Sequence, residues 1–140
     1  MRKINYIVVH CSATREGCTL TSEVLEAEHR RRGFRTTGYH YYIRRDGTVL
    51  GTRSLELPGA HCRGHNKYSI GICYEGGLDA RGNPKDTRTP EQRSALHLLV
   101  YQLLQQFRNA RVCGHRDLSP DLDGDGTVEP WEWVKQCQIG

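Results

Sequence analysis

An α/β domain, with a central sheet and helices packed against it, is the fold class this sequence predicts. Three observations carry that expectation. Short strand-like runs such as Tyr6, Ile7, Val8 and Val9 recur along the chain. Two longer segments carry helix signals, and an Asp-Gly turn joins two of the strand-like runs. The length of 140 residues suits one domain around one core, so residues 1–140 are read as a single unit.

The elements follow in order. Residues 4–9 read as a short buried strand that leads into His10. Residues 22–32 read as a helix: Glu23, Glu26 and Glu28 sit early and Arg30, Arg31 and Arg32 late, which complements the helix dipole, and Gly33 supplies the stop. Residues 40–44 and 48–51 are strand-like and flank Arg45, Asp46 and Gly47, a hairpin signal because glycine accepts positive φ. Residues 69–74 form another strand that Gly76 and Gly77 end, and a polar loop covers residues 78–88. The clearest helix covers residues 90–107. Thr89 is its N-cap, Pro90 fits the first turn and Gln92 completes a capping box. Leu96, Leu99, Val100, Leu103, Leu104 and Phe107 make one apolar stripe, with His97 just off it as a surface residue. Residues 111–113 form a last short strand before Gly114 and His115.

Composition excludes several classes. Apolar residues at 36% and charged residues at 26% describe a globular chain with ample core material. No run approaches the ~18 apolar residues that span a bilayer, so no membrane association is expected. The first residues lack a long apolar region and a small-residue cleavage site. The expectation is synthesis in the cytoplasm without a signal peptide. The net charge of +4 suits an anionic polymer and a solvated surface equally. The arginine cluster at 30–32 is read as complementing a helix end and not as a nucleic-acid contact. The six cysteines form no Cys-x-x-Cys pair; Cys11, Cys73 and Cys113 read as buried thiols, and the sequence selects no disulfide.

Three positions stand out chemically. His10 ends one buried strand, His115 ends another, and Cys137 follows Lys135 by two residues. Two imidazoles and a thiolate suit zinc and leave a fourth coordination place for water. Spacing alone does not select them, and among seven histidines any one taken singly reads as structural.

The surrounding words add to this. Residues 7–14 (IVVHCSAT), residues 38–49 (GYHYYIRRDGTV), residues 69–73 (SIGIC) with Gly76 and Gly77, the helix start at Thr89, Gly114 with His115, and Lys135 with Cys137 occur in a familiar order. Together they resemble the type 2 N-acetylmuramoyl-L-alanine amidases, which take in phage lysozymes of the T7 type and peptidoglycan recognition proteins. The resemblance covers most of the chain. It implies a mixed central sheet flanked by helices, with zinc in a surface groove. It also implies zinc on His10, His115 and Cys137, Tyr39 and Lys135 as catalytic groups, and His61 in the substrate groove. The activity implied is hydrolysis of the amide bond between N-acetylmuramic acid and L-alanine in bacterial peptidoglycan. A non-catalytic peptidoglycan-binding module of the same fold is the alternative. The chain is expected to be a monomer that acts on the wall after release from the cell. Phe34 stands where tryptophan is common, and Gln138 where proline is common after the cysteine; Asp117 is the substitute donor should Cys137 not bind.

Residues 121–132 spell a second motif, a twelve-residue EF-hand-like loop. Asp121, Asp123 and Asp125 supply oxygens at positions 1, 3 and 5. Gly126 makes the turn, Thr127 offers its carbonyl at 7, Glu129 sits at 9 and Glu132 is bidentate at 12. Calcium is therefore a candidate second cofactor, set against an ordinary acidic turn. The preceding residues do not read as an EF-hand's entering helix, so a calcium sensor is the weakest of the functional readings.

Overall fold

The computed structural model describes residues 2–33, 37–62 and 64–114. Its main sheet has five strands, β1 (Tyr6–Cys11), β3 (Tyr41–Ile43), β4 (Val49–Gly51), β5 (Ser69–Tyr74) and β7 (Arg111–Gly114), in the order β4-β3-β5-β1-β7. A two-residue pair, β2 (Thr14–Arg15) and β6 (Gly77–Leu78), lies apart. The helices are α1 (Ser22–Arg31) and α2 (Pro90–Gln106). β1 runs parallel to both β5 and β7, β3 runs parallel to β5, and only β4 is antiparallel, so the sheet is mixed as expected.

Side chains alternate across the sheet and divide the core in two. Ile7, Val9, Ile43, Ile70 and Ile72 pack against Leu96, Leu99 and Leu103 of α2. Tyr42 and Cys73 face the other way, with Leu25 of α1. An apolar cleft of about 310 Å³ on the α2 side, lined by Val9, Val100, Leu104 and Val112, holds none of the polar groups discussed below. His97 is exposed at its rim, in keeping with a surface residue.

Helix ends form as their sequences dictate. Thr21 Oγ1 accepts the Val24 N–H at 3.2 Å, and Thr89 and Gln92 complete the expected capping box on α2. The Gln92 side chain is fully buried and reaches further, donating to the carbonyls of Glu75 (2.9 Å) and Ile43 (3.3 Å). It thereby ties the helix start to the ends of β5 and β3. Next to it, the buried Glu75 carboxylate accepts from Arg44 Nε (2.8 Å), the Arg45 N–H (3.0 Å) and the Leu20 N–H (2.8 Å). Burial alone would raise that carboxyl, but the Arg44 side chain and the two backbone donors outweigh it and hold it below the usual range.

Three differences from the sequence expectation have physical causes. β1 continues past Val9 to Cys11, because β5 continues its ladder to Tyr74 opposite. The β2–β6 pair has no counterpart in the sequence expectation, which ends a strand at Gly76 and Gly77 and starts a polar loop at Leu78: Thr14 pairs with Gly77 and Arg15 with Leu78, and two residues carry no periodicity to read. The expected strand over residues 40–44 narrows to Tyr41–Ile43, since Arg44 already turns into the hairpin and its N–H donates to the Thr48 carbonyl. No helix among the described residues is long and apolar enough to cross a membrane.

Candidate active site

Four of the seven histidines and one tyrosine gather on the α1 side of the sheet. His10, one residue from the end of β1, is fully buried and pairs in register with Cys73. Its Nε2 lies 2.8 Å from Nδ1 of His61, and the two rings meet edge to face at 4.9 Å. His61 Nε2 in turn lies 3.1 Å from the Ser69 hydroxyl.

The loop carrying His61 is held from below by Asn66, whose Oδ1 accepts the N–H groups of His61 (3.0 Å) and Cys62 (2.9 Å). The ring fits because Gly71 has no side chain. A Cβ there would stand 2.6 Å from His61 Cγ. His40 lies behind, fully buried, accepting the Gly71 N–H on Nδ1 (3.0 Å) and facing the Leu57 carbonyl with Nε2 (2.8 Å). Burial lowers its pKa to about 4, so it is a neutral structural imidazole and not an acid–base group near neutral pH.

Tyr39 is half-buried and closes the group. Its ring lies 5.1 Å from His10, 5.5 Å from His29 and 6.5 Å from His61. The Tyr39 carbonyl accepts the hydroxyls of Thr52 (2.7 Å) and Thr37 (2.9 Å), so its backbone is fixed. His29 comes from α1, four residues after Leu25 on the buried helix face.

The structure thus places His10, Tyr39 and His61 together. Lys135, His115 and Cys137 lie outside the described residues, as do Asp117 and the whole acidic loop with Asp121, Asp123, Asp125, Thr127, Glu129 and Glu132. β7 ends on Gly114, which pairs with Val9, the residue before His10. His29, Ser69 and Gly71 were not singled out from the sequence. For His29 a signal existed, since its four-residue spacing from Leu25 puts both on one helix face; for Gly71 only the ring it accommodates reveals its role.

His10 suits a metal by its chemistry. In the tautomer in which His10 donates Nε2–H to His61, its lone pair lies on Nδ1, and metal-bound histidines characteristically give their other N–H to such a partner.

Residues 1–131 match the family model described as N-acetylmuramoyl-L-alanine amidase. The chain belongs to that family. Among similar proteins, an endolysin of Klebsiella phage KP32 is 37% identical over 134 residues, covering 96% of this chain and 88% of that one. A peptidoglycan-recognition protein of Drosophila melanogaster is 29% identical over 120 residues, 82% of this chain and 65% of that one. Among solved structures, the N-acetylmuramoyl-L-alanine amidase LysC from Clostridium intestinale superposes with a TM-score of 0.74 at 28% identity, covering 94% and 82% of the two chains. The amidase-family fold, a mixed sheet with a helix on each face, is therefore shared.

Proposed function

We propose that this chain is a zinc-dependent amidase that hydrolyses the bond between N-acetylmuramic acid and L-alanine in bacterial peptidoglycan. The observation that carries the proposal is the buried His10–His61 pair with Tyr39 on the α1 side of the sheet, in a chain of the amidase family. His10, His115 and Cys137 would hold the metal in a surface groove. Zinc supplies Lewis acidity, polarising a carbonyl and acidifying water to about pKa 7.

The chain's own groups have separate parts. His61 takes the His10 N–H and so fixes the tautomer and orientation of that imidazole. Tyr39, with its backbone fixed by two hydroxyls, orients water or passes a proton to the leaving amine. Lys135 brings positive charge to the oxyanion that develops on the lactyl oxygen. His61 also lines the groove that receives the sugar and stem peptide. The whole is one domain over residues 1–140, monomeric, acting on the wall after release in the manner of an endolysin. The acidic loop at 121–132 is a calcium site ordering the segment that carries Lys135 and Cys137. Calorimetry with no heat of calcium binding at millimolar concentration would remove that part alone.

Similarity to a recognition protein favours a second reading, a module that binds peptidoglycan without cutting it. Metal content and product separate the two. An amidase purified without added metal carries about one zinc per chain and releases intact stem peptides, leaving muramic acid without them. His10→Ala abolishes both. Wall digests with no free stem peptide, from a wild type that holds zinc, would sink the proposal.

A further inference from the structure

His29 has no part in the chemistry just proposed, yet it is the buried group that joins α1 to the segment bearing Tyr39. Its Nδ1 accepts the Gly38 N–H at 2.7 Å. A backbone N–H donates in one direction only, so the lone pair of His29 is fixed on Nδ1 and, in the neutral ring, the proton on Nε2. Gly38 directly precedes Tyr39, and the His29 and Tyr39 rings stand 5.5 Å apart at 47°. From the other side the Ala60 N–H donates to the Gly38 carbonyl at 3.0 Å, while Thr52 holds the Tyr39 carbonyl.

The backbone on either side of Tyr39 is therefore held by the loop at Ala60, by Thr52 and by a helix. Of these three holds, the one from the helix is His29. Leu25, the other buried residue of α1, fills its place by packing alone; His29 buries a polar ring there, which costs desolvation unless its nitrogens are used.

We infer that His29 is a positioning residue: by accepting the Gly38 N–H and bracing the Tyr39 ring, it sets where the Tyr39 hydroxyl stands relative to His10. The inference rests on the role given to Tyr39 above. A phenol turns about two side-chain angles, so a fixed backbone and a neighbouring ring together define its oxygen. Displacement of such a group by about 1 Å can lower turnover about a hundredfold.

Full-length wild type, His29→Asn and His29→Phe form the test. Asparagine keeps an acceptor close to the place of Nδ1; phenylalanine keeps the bulk and loses the acceptor. The free proteins are followed by NMR at the Gly38 amide and the Tyr39 ring, assigned with Tyr39→Phe, and turnover is measured on a soluble muropeptide. In His29→Phe, Gly38 exchange should rise about tenfold or more and the Tyr39 ring resonances should move. Its kcat should fall about ten- to a hundredfold with KM within about threefold, whereas His29→Asn stays within about threefold of wild type in both. Should the phenylalanine variant not give a folded spectrum, His29→Leu takes its place.

A variant lacking the acceptor but keeping wild-type kcat overturns the inference. So does an asparagine variant as impaired as the phenylalanine one, or a rise in KM at unchanged kcat, which would make His29 a substrate contact. If the wild type cleaves no muropeptide, the amidase reading fails. The Gly38 and Tyr39 resonances then decide the positioning link by themselves, and their indifference to His29→Phe overturns it.

Discussion

Gly71 matters to the site through the atom it lacks. The His61 ring occupies the place where a side chain at 71 would begin, and a Cβ would come within 2.6–2.9 Å of three of its ring atoms. A rigid ring with bonds at both nitrogens cannot give way as the tip of a lysine would. Gly71→Ala should therefore push His61 off His10 and lower turnover tenfold or more, on the order of the cost of misplacing one group. The protein should stay folded, as circular dichroism would check; wild-type turnover would show that His61 is not needed where it stands. Ala13 is the complementary case. It follows His10 by three residues and holds φ at 58°, a left-handed conformation that disfavours any side chain. Ala13→Gly should raise stability by about 0.5 kcal/mol, the relief of strain less the greater freedom of unfolded glycine. Urea unfolding measures it, and a lower midpoint would contradict the strain.

Gln92 shows how one residue of an element serves both a local and a distant need. The capping box is written in the sequence, Thr89 and Gln92 at the right offset, and the structure forms it. The buried donations to Ile43 and Glu75 are not written there, because they depend on which strands end nearby. Gln92→Ala should cost about 2–3 kcal/mol, a cap plus carbonyls left without their donor in the interior. A loss below about 1 kcal/mol in urea would reduce Gln92 to a cap. The same division runs through the whole fold. β5 and α2 were legible because apolar runs, periodicity and capping residues are local signals. The β2–β6 pair was not, since its two residues per strand are specified only by the ladder beyond Cys11 and Tyr74. His10 was legible as the polar end of a buried strand. His61 and Tyr39 came from resemblance to a family; the spacing of His29 from Leu25 put it on the buried face of α1, but its bond to Gly38 showed only when α1 was packed on the sheet.

Acid sensitivity belongs to the molecule as a whole, because the group that sets it joins distant parts of the chain. His40 links β5 at Gly71 to the loop at Leu57, with Arg2 close to its Nε2. Burial, followed by the nearby Arg2 and Arg53 charges, lowers its pKa to about 4, while the Leu57 carbonyl acts the other way. The unfolded chain, with histidine near pKa 6.5, binds that proton first. The stabilising effect is therefore complete above about pH 6.5 and is lost as pH falls through about 4, amounting to about 3 kcal/mol at most. Urea midpoints should drop from pH 7.5 to 4.5 in the wild type and drop less in His40→Gln. Equal slopes would place the acid sensitivity elsewhere. A wider consequence follows from β1, which comes first in the chain but lies inside the sheet between β5 and β7. As the chain is made, β1 keeps one flank bare until residue 69 arrives and the other until residue 111. Long-separated partners of this kind close slowly. A nascent chain thus carries the His10 imidazole without both flanking strands until residue 111 has been made, and the packing around it can be completed only then.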